Sequence, residues 1–334
     1  MVLAEGTLRV ADWLGSTNEL RAWQRQSAHE LQLTNGRHVL LGEMVRPAAN
    51  ADIVYELVPD MDVHFGGKHV VTGALGFRGG DPPPERDPCD LCVVGIGDSV
   101  LFGSGVETDE TFLHRLGDKL QTLYPDRIVT TVNTGVPGYN TTMEVATLAQ
   151  KCLDLQPDLV IVDFVENDFD LPNFLLLPPD PLRTDRLLLY DLAHRTLRKG
   201  RRPNGPLEDA PMENHHFFVG DPARVPTRYQ HMVGHDSYRR ALQRLLALAD
   251  EHGFRVVVSC HTAIDEPAQQ ICDELSVPVV TAAARQREWL DARGQQLMQS
   301  ELVVSPSDPH PSAIGHRLLA EELFVFVRLQ GWFD

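Results

Sequence analysis

Val93-Val94-Gly95-Ile96-Gly97-Asp98-Ser99 is an apolar, β-branched run that stops abruptly at Gly-Asp-Ser, with Val100-Leu101-Phe102-Gly103 directly after it. Near-continuous apolar runs of this length suit strands buried on both faces of a parallel sheet. Open parallel sheets carry their chemistry at the carboxyl ends of strands, so Ser99 stands where a nucleophile is presented. Glycine there lets the backbone turn sharply, and a helix after it would aim its first amides at developing negative charge. Alone, the tripeptide is more commonly a turn serine capping a helix. Its partners further along the chain favour the catalytic reading.

Working outward, Cys92 to Gly97, Ile128 to Asn133, Leu159 to Phe164, Arg255 to Cys260 and Val277 to Thr281 are strand candidates. Glu110 to Leu123, Thr142 to Leu155, Ser237 to His252 and Ala313 to Leu329 read as helices. This alternation predicts an α/β fold, a three-layer doubly wound sheet with right-handed crossovers. Three further blocks follow apolar runs or lie near the C-terminus: Asn133-Thr134-Gly135-Val136-Pro137-Gly138-Tyr139-Asn140, Val165-Glu166-Asn167-Asp168 and Ser307-Asp308-Pro309-His310-Pro311. Serine, glycine loop, asparagine and an Asp/His pair are the parts of a serine esterase: nucleophile, oxyanion donors, and a base with its orienting acid. Each block also has a plainer reading. Gly138 after Pro137 suits a type II turn, Asn167-Asp168 a strand-closing turn, and His310 between two prolines a rigid surface loop. Asp98 and Asp168 are expected to be local hydrogen-bonding carboxylates that shape the site.

At these blocks the chain resembles the SGNH (GDSL-type) hydrolase family. Gly97-Asp98-Ser99 is similar to the block that carries the serine, Gly138 to the glycine of the second block, Asn167 to the asparagine of the third, and Asp308 with His310 to the fifth. The likeness spans roughly residues 90–330 and implies a flavodoxin-like α/β/α architecture with a parallel central sheet. It implies catalytic Ser99, Asp308 and His310, with an oxyanion hole formed by the amides of Ser99 and Gly138 and the side chain of Asn167. Two positions depart from the family pattern. Val165 stands where the third block has glycine, which requires an extended backbone there. Ser307 stands where the acid usually lies, and the carboxylate is one residue later, at Asp308. Residues i and i+2 point the same way in an extended segment, so Asp308 can still reach His310. Related acyl-transferring branches resemble this Asp-x-His spacing.

Composition bounds the function. The chain has 334 residues, 43% of them hydrophobic, enough for a large core. Its 47 acidic and 30 basic residues give a formal net charge of −17, which argues against nucleic acid and anionic membrane surfaces as partners. No stretch approaches the roughly 18 uninterrupted apolar residues of a membrane span. Met1 to Thr7 lacks a basic region followed by an apolar core, so a cytoplasmic location is the default, although a chain trimmed of its leader would read the same. Five cysteines do not suggest a disulfide scaffold, and Cys89 and Cys92, a lone Cys-x-x-Cys, read as buried, inert thiols. The densest of the 14 histidines, His215-His216, reads as surface loop. Neither a metal nor a cofactor is expected.

The expected organisation is an N-terminal extension, residues 1–86, and a catalytic domain, residues 87–334. Within the extension Thr17 to Leu33 reads as a helix, and His38 to Leu41, Asp52 to Leu57 and Lys68 to Thr72 as short strands. Tyr55 to Pro59 and Gly76 to Gly79 look like the lead-in of a bacterial SGNH branch. Residues 170–236 interrupt the alternation and read as a lid-like insertion, with a short helix Leu187 to Arg198 and a basic turn-rich stretch Lys199 to Pro206. Phe174 to Leu177 are candidates to line an acyl pocket. The expected function is a serine esterase acting on an O-acyl ester, acetyl on a carbohydrate being one example, through a covalent acyl-serine intermediate. An O-acyltransferase with the same triad and a non-catalytic binding module on a degenerate scaffold are the alternatives.

Overall fold

Five short strands come first: β1 (Arg37–His38), β2 (Val45–Pro47), β3 (Tyr55–Leu57), β4 (Asp62–Phe65) and β5 (Lys68–Val71). In this computed structural model the described residues are Thr7, 37–39, 41–83, 86–172, 220, 222–225 and 227–333. β2 and β3 form an antiparallel pair, and β4 pairs with β1 in parallel and with β5 antiparallel. Gly66 and Gly67, at φ +55° and +74°, close the β4–β5 hairpin, the doubly positive geometry of a two-residue turn that suits right-twisted strands.

The apolar runs then form one sheet: β6 (Leu91–Gly97), β7 (Val129–Asn133), β8 (Leu159–Asp163), β9 (Arg255–Cys260) and β10 (Val279–Thr281). Its order is β10-β9-β8-β6-β7, all parallel. Between and after these strands lie α1 (Ser99–Phe102), α2 (Phe112–Leu123), α3 (Thr141–Lys151), α4 (His235–His252), α5 (Glu266–Glu274), α6 (Ala283–Asp291) and α7 (Ala313–Gln330). Successive strand residues face opposite ways, so β6 feeds two cores. Val94 and Ile96 join Val160, Val162, Leu148, Leu242 and Leu245 under α3, α4 and α5. Val93 joins Ile161, Leu116, Leu120, Leu319 and Leu323 under α2 and α7. Each such buried Leu, Ile or Val contributes about 1.5–3 kcal/mol, so burial on both faces holds the three layers together.

The five strands of this sheet start and stop within two residues of the sequence-based bounds, whereas β1 ends three residues before the expected Leu41 and β3 starts three residues after the expected Asp52. Ile128 is 62% exposed and lies before β7. The expected helix Thr142 to Leu155 divides into α3 and one 3-10 turn, Leu153–Leu155, before Gln156 turns left-handed at φ +52°. Three further features differ from expectation. The helix after Ser99 is a single turn, because Gly103 at φ +84° ends it. The segment around His310 is not a loop: β12 (Asp308–Pro311) pairs antiparallel with β11 (Val303–Ser305). A two-stranded ribbon has only edge strands, where Pro309 and Pro311 cost no ladder bonds. Cys89 is exposed, and only the other four cysteines are buried. Thr17 to Leu33, Phe174 to Leu177, Leu187 to Arg198, Lys199 to Pro206 and His215-His216 lie outside the described residues.

The N-terminal strands share a core with the sheet's active end. Met44, Ile53, Tyr55, Leu57 and Val63 cluster with Phe102, Val136, Tyr139 and Met143. The Tyr55 hydroxyl donates to Pro137 O at 3.2 Å, the Tyr139 hydroxyl donates to Tyr55 O, and the rings meet edge-on at 5.2 Å. Arg78 makes the tightest join. Its N–H donates to Asn133 O at 3.1 Å, adding a residue to the free edge of β7. Its buried guanidinium donates to Phe102 O, to Gly103 O at 2.7 Å and to Val106 O at 2.6 Å, and lies 4.5 Å from the centre of the Phe102 ring. Burial pulls the Arg78 pKa down to about 10, against the opposing pull of Glu107, so the group is charged at neutral pH. Arg78→Ala takes the charged donor from three buried carbonyls and leaves Gly103 O only its bond from the Val106 N–H, and chemical denaturation is expected to show a loss of about 3 kcal/mol or more. Lysine at this position cannot bridge the three acceptors and is expected to recover little of that loss.

Candidate active site

β6 ends at Gly97, where an added Cβ would come within 2.7 Å of Leu101 Cβ and 3.0 Å of Asp163 Cβ. Only glycine fits between the α1 turn and the neighbouring strand. Asp98 follows and caps α1, its Oδ1 accepting the Val100 N–H at 2.8 Å. Ser99 is therefore the first residue of the helical turn and not its cap. The other Asp98 oxygen, Oδ2, accepts from Asn167 Nδ2 at 2.9 Å and lies 3.2 Å from Ser99 Oγ.

The loop after β7 packs directly onto this turn. Thr134 N–H donates to Gly95 O at 3.1 Å and Val136 N–H to Gly97 O at 3.2 Å, tying the loop to β6. Asn133 Nδ2 donates to Leu101 O at 2.7 Å. A Cβ on Gly135 would lie 2.3 Å from the Phe102 nitrogen, so the backbones touch there. Val136 to Tyr139 form a turn closed by Tyr139 N–H to Val136 O at 3.1 Å, with Gly138 at φ +81°. That positive φ after proline is the type II geometry that asks for glycine. Asn140 then caps α3 by accepting from Met143 N–H, while its Nδ2 donates to Asp170 O at 3.0 Å and Met232 O at 2.8 Å.

The third loop leaves β8 through Val165, which is extended at φ −132°, ψ 153°, and enters the 3-10 turn Glu166–Phe169. Asp168 Oδ2 accepts the Val165 N–H at 3.1 Å and closes that turn. Asn167 has one amide hydrogen engaged by Asp98, and its Oδ1 is buried without a hydrogen-bond donor among the described residues.

β12 brings in the last pair. Asp308 and His310 sit two residues apart on one strand, so their side chains share a face. His310 Nδ1 lies 2.6 Å from Asp308 Oδ1, which also accepts the His310 N–H at 3.0 Å. His310 Nε2 lies 2.9 Å from Ser99 Oγ. The Asp308 carboxylate can only accept, so in the neutral ring Nδ1 carries the hydrogen and Nε2 offers its lone pair to the serine. Burial pushes the Asp308 pKa up, but the bonds from His310 outweigh it and hold the carboxyl below its ordinary range. Ser99, Asp308, His310 and Asn167 thus lie together, with the Gly138 turn on the adjoining loop.

Among the described residues no set of three or more His, Cys, Asp or Glu side chains is arranged to hold a metal ion, and no helix is long and apolar enough to cross a membrane. A model of the GDSL-like lipase/acylhydrolase family matches residues 96–318. No curated protein matches the chain. Among solved structures, a catalytic mutant of an acetylxylan esterase from Geobacillus stearothermophilus is similar at 16% identity, with 75% of this chain and 98% of that chain covered and a TM-score of 0.42. A two-domain esterase active on acetylated mannans, crystallised with mannopentaose, is 15% identical over 72% of this chain and 49% of its own, with a TM-score of 0.44. An α/β hydrolase from the metagenome of Lake Arreo, Spain, is 14% identical over 75% and 99%, with a TM-score of 0.42.

Sequence reasoning missed several polar residues around the site. Arg78 and Asn140 stand in stretches already singled out, Gly76 to Gly79 and the Asn133 block, but with no role attached to them, and Glu144 lies in a stretch with no recognisable chemical pattern; burial reveals all three. His261, just past β9, and His316 on α7 are also buried, their ring centres 6.1 Å apart. His316 Nδ1 accepts the Phe112 N–H at 3.2 Å, whereas neither His261 nitrogen has a partner among the described residues. Burial pulls the His261 pKa down to about 3 and the His316 pKa well below its ordinary value. Folding therefore holds both rings neutral, while the unfolded chain takes up protons below about pH 6.5. Their contribution to stability is full above that pH and falls as the solution is acidified toward about 3. Replacing the unpaired ring by leucine removes one of these protons. Denaturation of His261→Leu across this window is expected to give a flatter stability-versus-pH curve than wild type.

Proposed function

The chain belongs to the GDSL-like lipase/acylhydrolase family, whose model matches residues 96–318, and from that premise we propose that Ser99, His310 and Asp308 form its catalytic triad. It is a hydrolase acting on ester bonds. The observation that carries the assignment of roles is the pair of contacts at His310, 2.9 Å to Ser99 Oγ and 2.6 Å to Asp308 Oδ1. Ser99 Oγ attacks the ester carbonyl while His310 Nε2 takes its proton. Asp308 holds the ring tautomer and stabilises the imidazolium. The Ser99 N–H, the Gly138 N–H and the second hydrogen of Asn167 Nδ2 receive the oxyanion. The type II turn consumes the Tyr139 N–H and not that of Gly138. Collapse expels the alcohol, protonated by His310, and leaves an acyl-serine that water then hydrolyses by the same steps.

Asp98 Oδ2, 3.2 Å from Ser99 Oγ, is a competing acceptor for the serine proton. The Asn167 amide donates to the same oxygen and so weakens that competition. The ester is proposed to carry a short acyl group, acetyl on a carbohydrate, because Tyr55 to Pro59 and Gly76 to Gly79 resemble the lead-in of a bacterial SGNH branch.

With p-nitrophenyl acetate as substrate, Ser99→Ala is expected to lower kcat/KM by at least about 1,000-fold. Equal activity in wild type and variant would put the nucleophile elsewhere. A series of longer p-nitrophenyl esters is expected to show falling kcat/KM. Adding an alcohol or sugar acceptor tests acyl transfer: an acylated acceptor among the products would make the enzyme a transferase. For the acid, Asp308→Asn is expected to cost about 100-fold or more, because the wrong tautomer is favoured, whereas Ser307→Ala stays within about twofold. The opposite pattern would reassign the orienting group.

A further inference from the structure

Behind the Ser99 turn lie four carboxyl groups: Asp98, Asp163, Asp168 and Glu144, each about 1% exposed or less. Asp98 is held by the Val100 N–H and the Asn167 amide, Asp163 by the Ser259 hydroxyl at 2.8 Å, and Asp168 by the Val165 N–H. Glu144 is different. Neither of its oxygens meets a donor among the described residues. Its carboxyl lies against that of Asp168, whose Oδ1 is likewise buried without a donor among the described residues. Two buried carboxylates side by side repel, so one of them carries a proton.

The location gives this proton a consequence. Glu144 lies in the first turn of α3, the helix capped by Asn140 directly after the Gly138 turn. Asp168 closes the 3-10 turn that contains Asn167. We propose that Glu144, as a protonated acid donating to Asp168, is a positioning residue that braces the Asn167 turn against the Gly138 loop and so sets the oxyanion hole. The proposal rests on the esterase reading above.

The electrostatics agree. Burial first, then Asp168 and Asp98, push the Glu144 pKa well up. The other titratable groups facing it are Asp163 and the phenols of Tyr139 and Tyr238, both of which burial keeps neutral. When Glu144 loses its proton, two buried carboxylates repel across the brace and the two loops part. Activity must then fall on the alkaline side.

Steady-state kinetics across pH on wild type, Glu144→Ala and Glu144→Gln test this. Glutamine donates to Asp168 as the acid does but does not titrate. Glu144→Ala is expected to lose about 100-fold in kcat with KM changed by less than about twofold, because the oxyanion is bound only in the transition state. Glu144→Gln is expected to recover kcat to within about fivefold of wild type at neutral pH and to lack the alkaline limb. An unchanged kcat in the alanine variant, a loss confined to KM, or an alkaline limb that persists in the glutamine variant would overturn the proposal. Infrared spectra at neutral pH provide a readout that needs neither turnover nor the alanine variant. A protonated-carboxyl band weaker in Glu144→Gln than in wild type is expected, and equal bands would remove the proton from Glu144. If wild type lacks Ser99-dependent hydrolysis while that band difference is present, the esterase reading fails and the acid pair stands.

Discussion

The carboxylate of Asp98 is the group on which the Ser99 turn and the Asn167 loop both lean. It caps the Ser99 turn through Val100, it holds the amide of Asn167, and it lies beside the serine hydroxyl. A single buried acceptor thus joins two loops that leave different strands. This junction exists because β6 lies between β7 and β8, so the carboxyl ends of all three strands emerge side by side. In open α/β sheets, connections that leave a strand toward opposite edges open a crevice at that point.

Concentrating acidic groups beneath a nucleophile has an electrostatic cost, which protonation relieves. Burial and mutual repulsion push Asp163, Asp168 and Glu144 upward together. Neutral acids can donate as well as accept, which lets carboxyl groups hydrogen-bond one another in a region where few N–H groups reach. The histidine pair His261 and His316 follows the same rule with opposite sign, since burial keeps both bases uncharged.

The N-terminal strands extend the support outward. Arg78 ties three backbone carbonyls of the segment just after the Ser99 turn, and Tyr55 and Tyr139 lock the Gly138 turn from the far side. These contacts are buried, and they hold backbone that positions the site, where misplacement of about 1 Å is felt in rate. The strands therefore share the core of the catalytic sheet while β1, β4 and β5 keep a small sheet of their own.

The apolar runs ending at Gly97, Asn133 and Asp163 were legible as parallel strands, because β-branched residues buried on both faces leave a pattern that does not depend on their neighbours. With them came the positions of Ser99, Gly138 and Asn167 at strand ends. Less regular elements were missed: α5 and α6 carry short, mostly polar sequences, and β12 hides behind two prolines that only a two-stranded ribbon tolerates. By itself, then, the sequence determined the parallel sheet and which residue types stand at its active end. Tertiary structure alone decided which groups meet there: His310 with Ser99, Asn167 with Asp98, Glu144 with Asp168 and Arg78 with the Phe102–Val106 carbonyls. Those meetings depend on strand order and on the exclusion of water, and neither is written in the local spacing of residues.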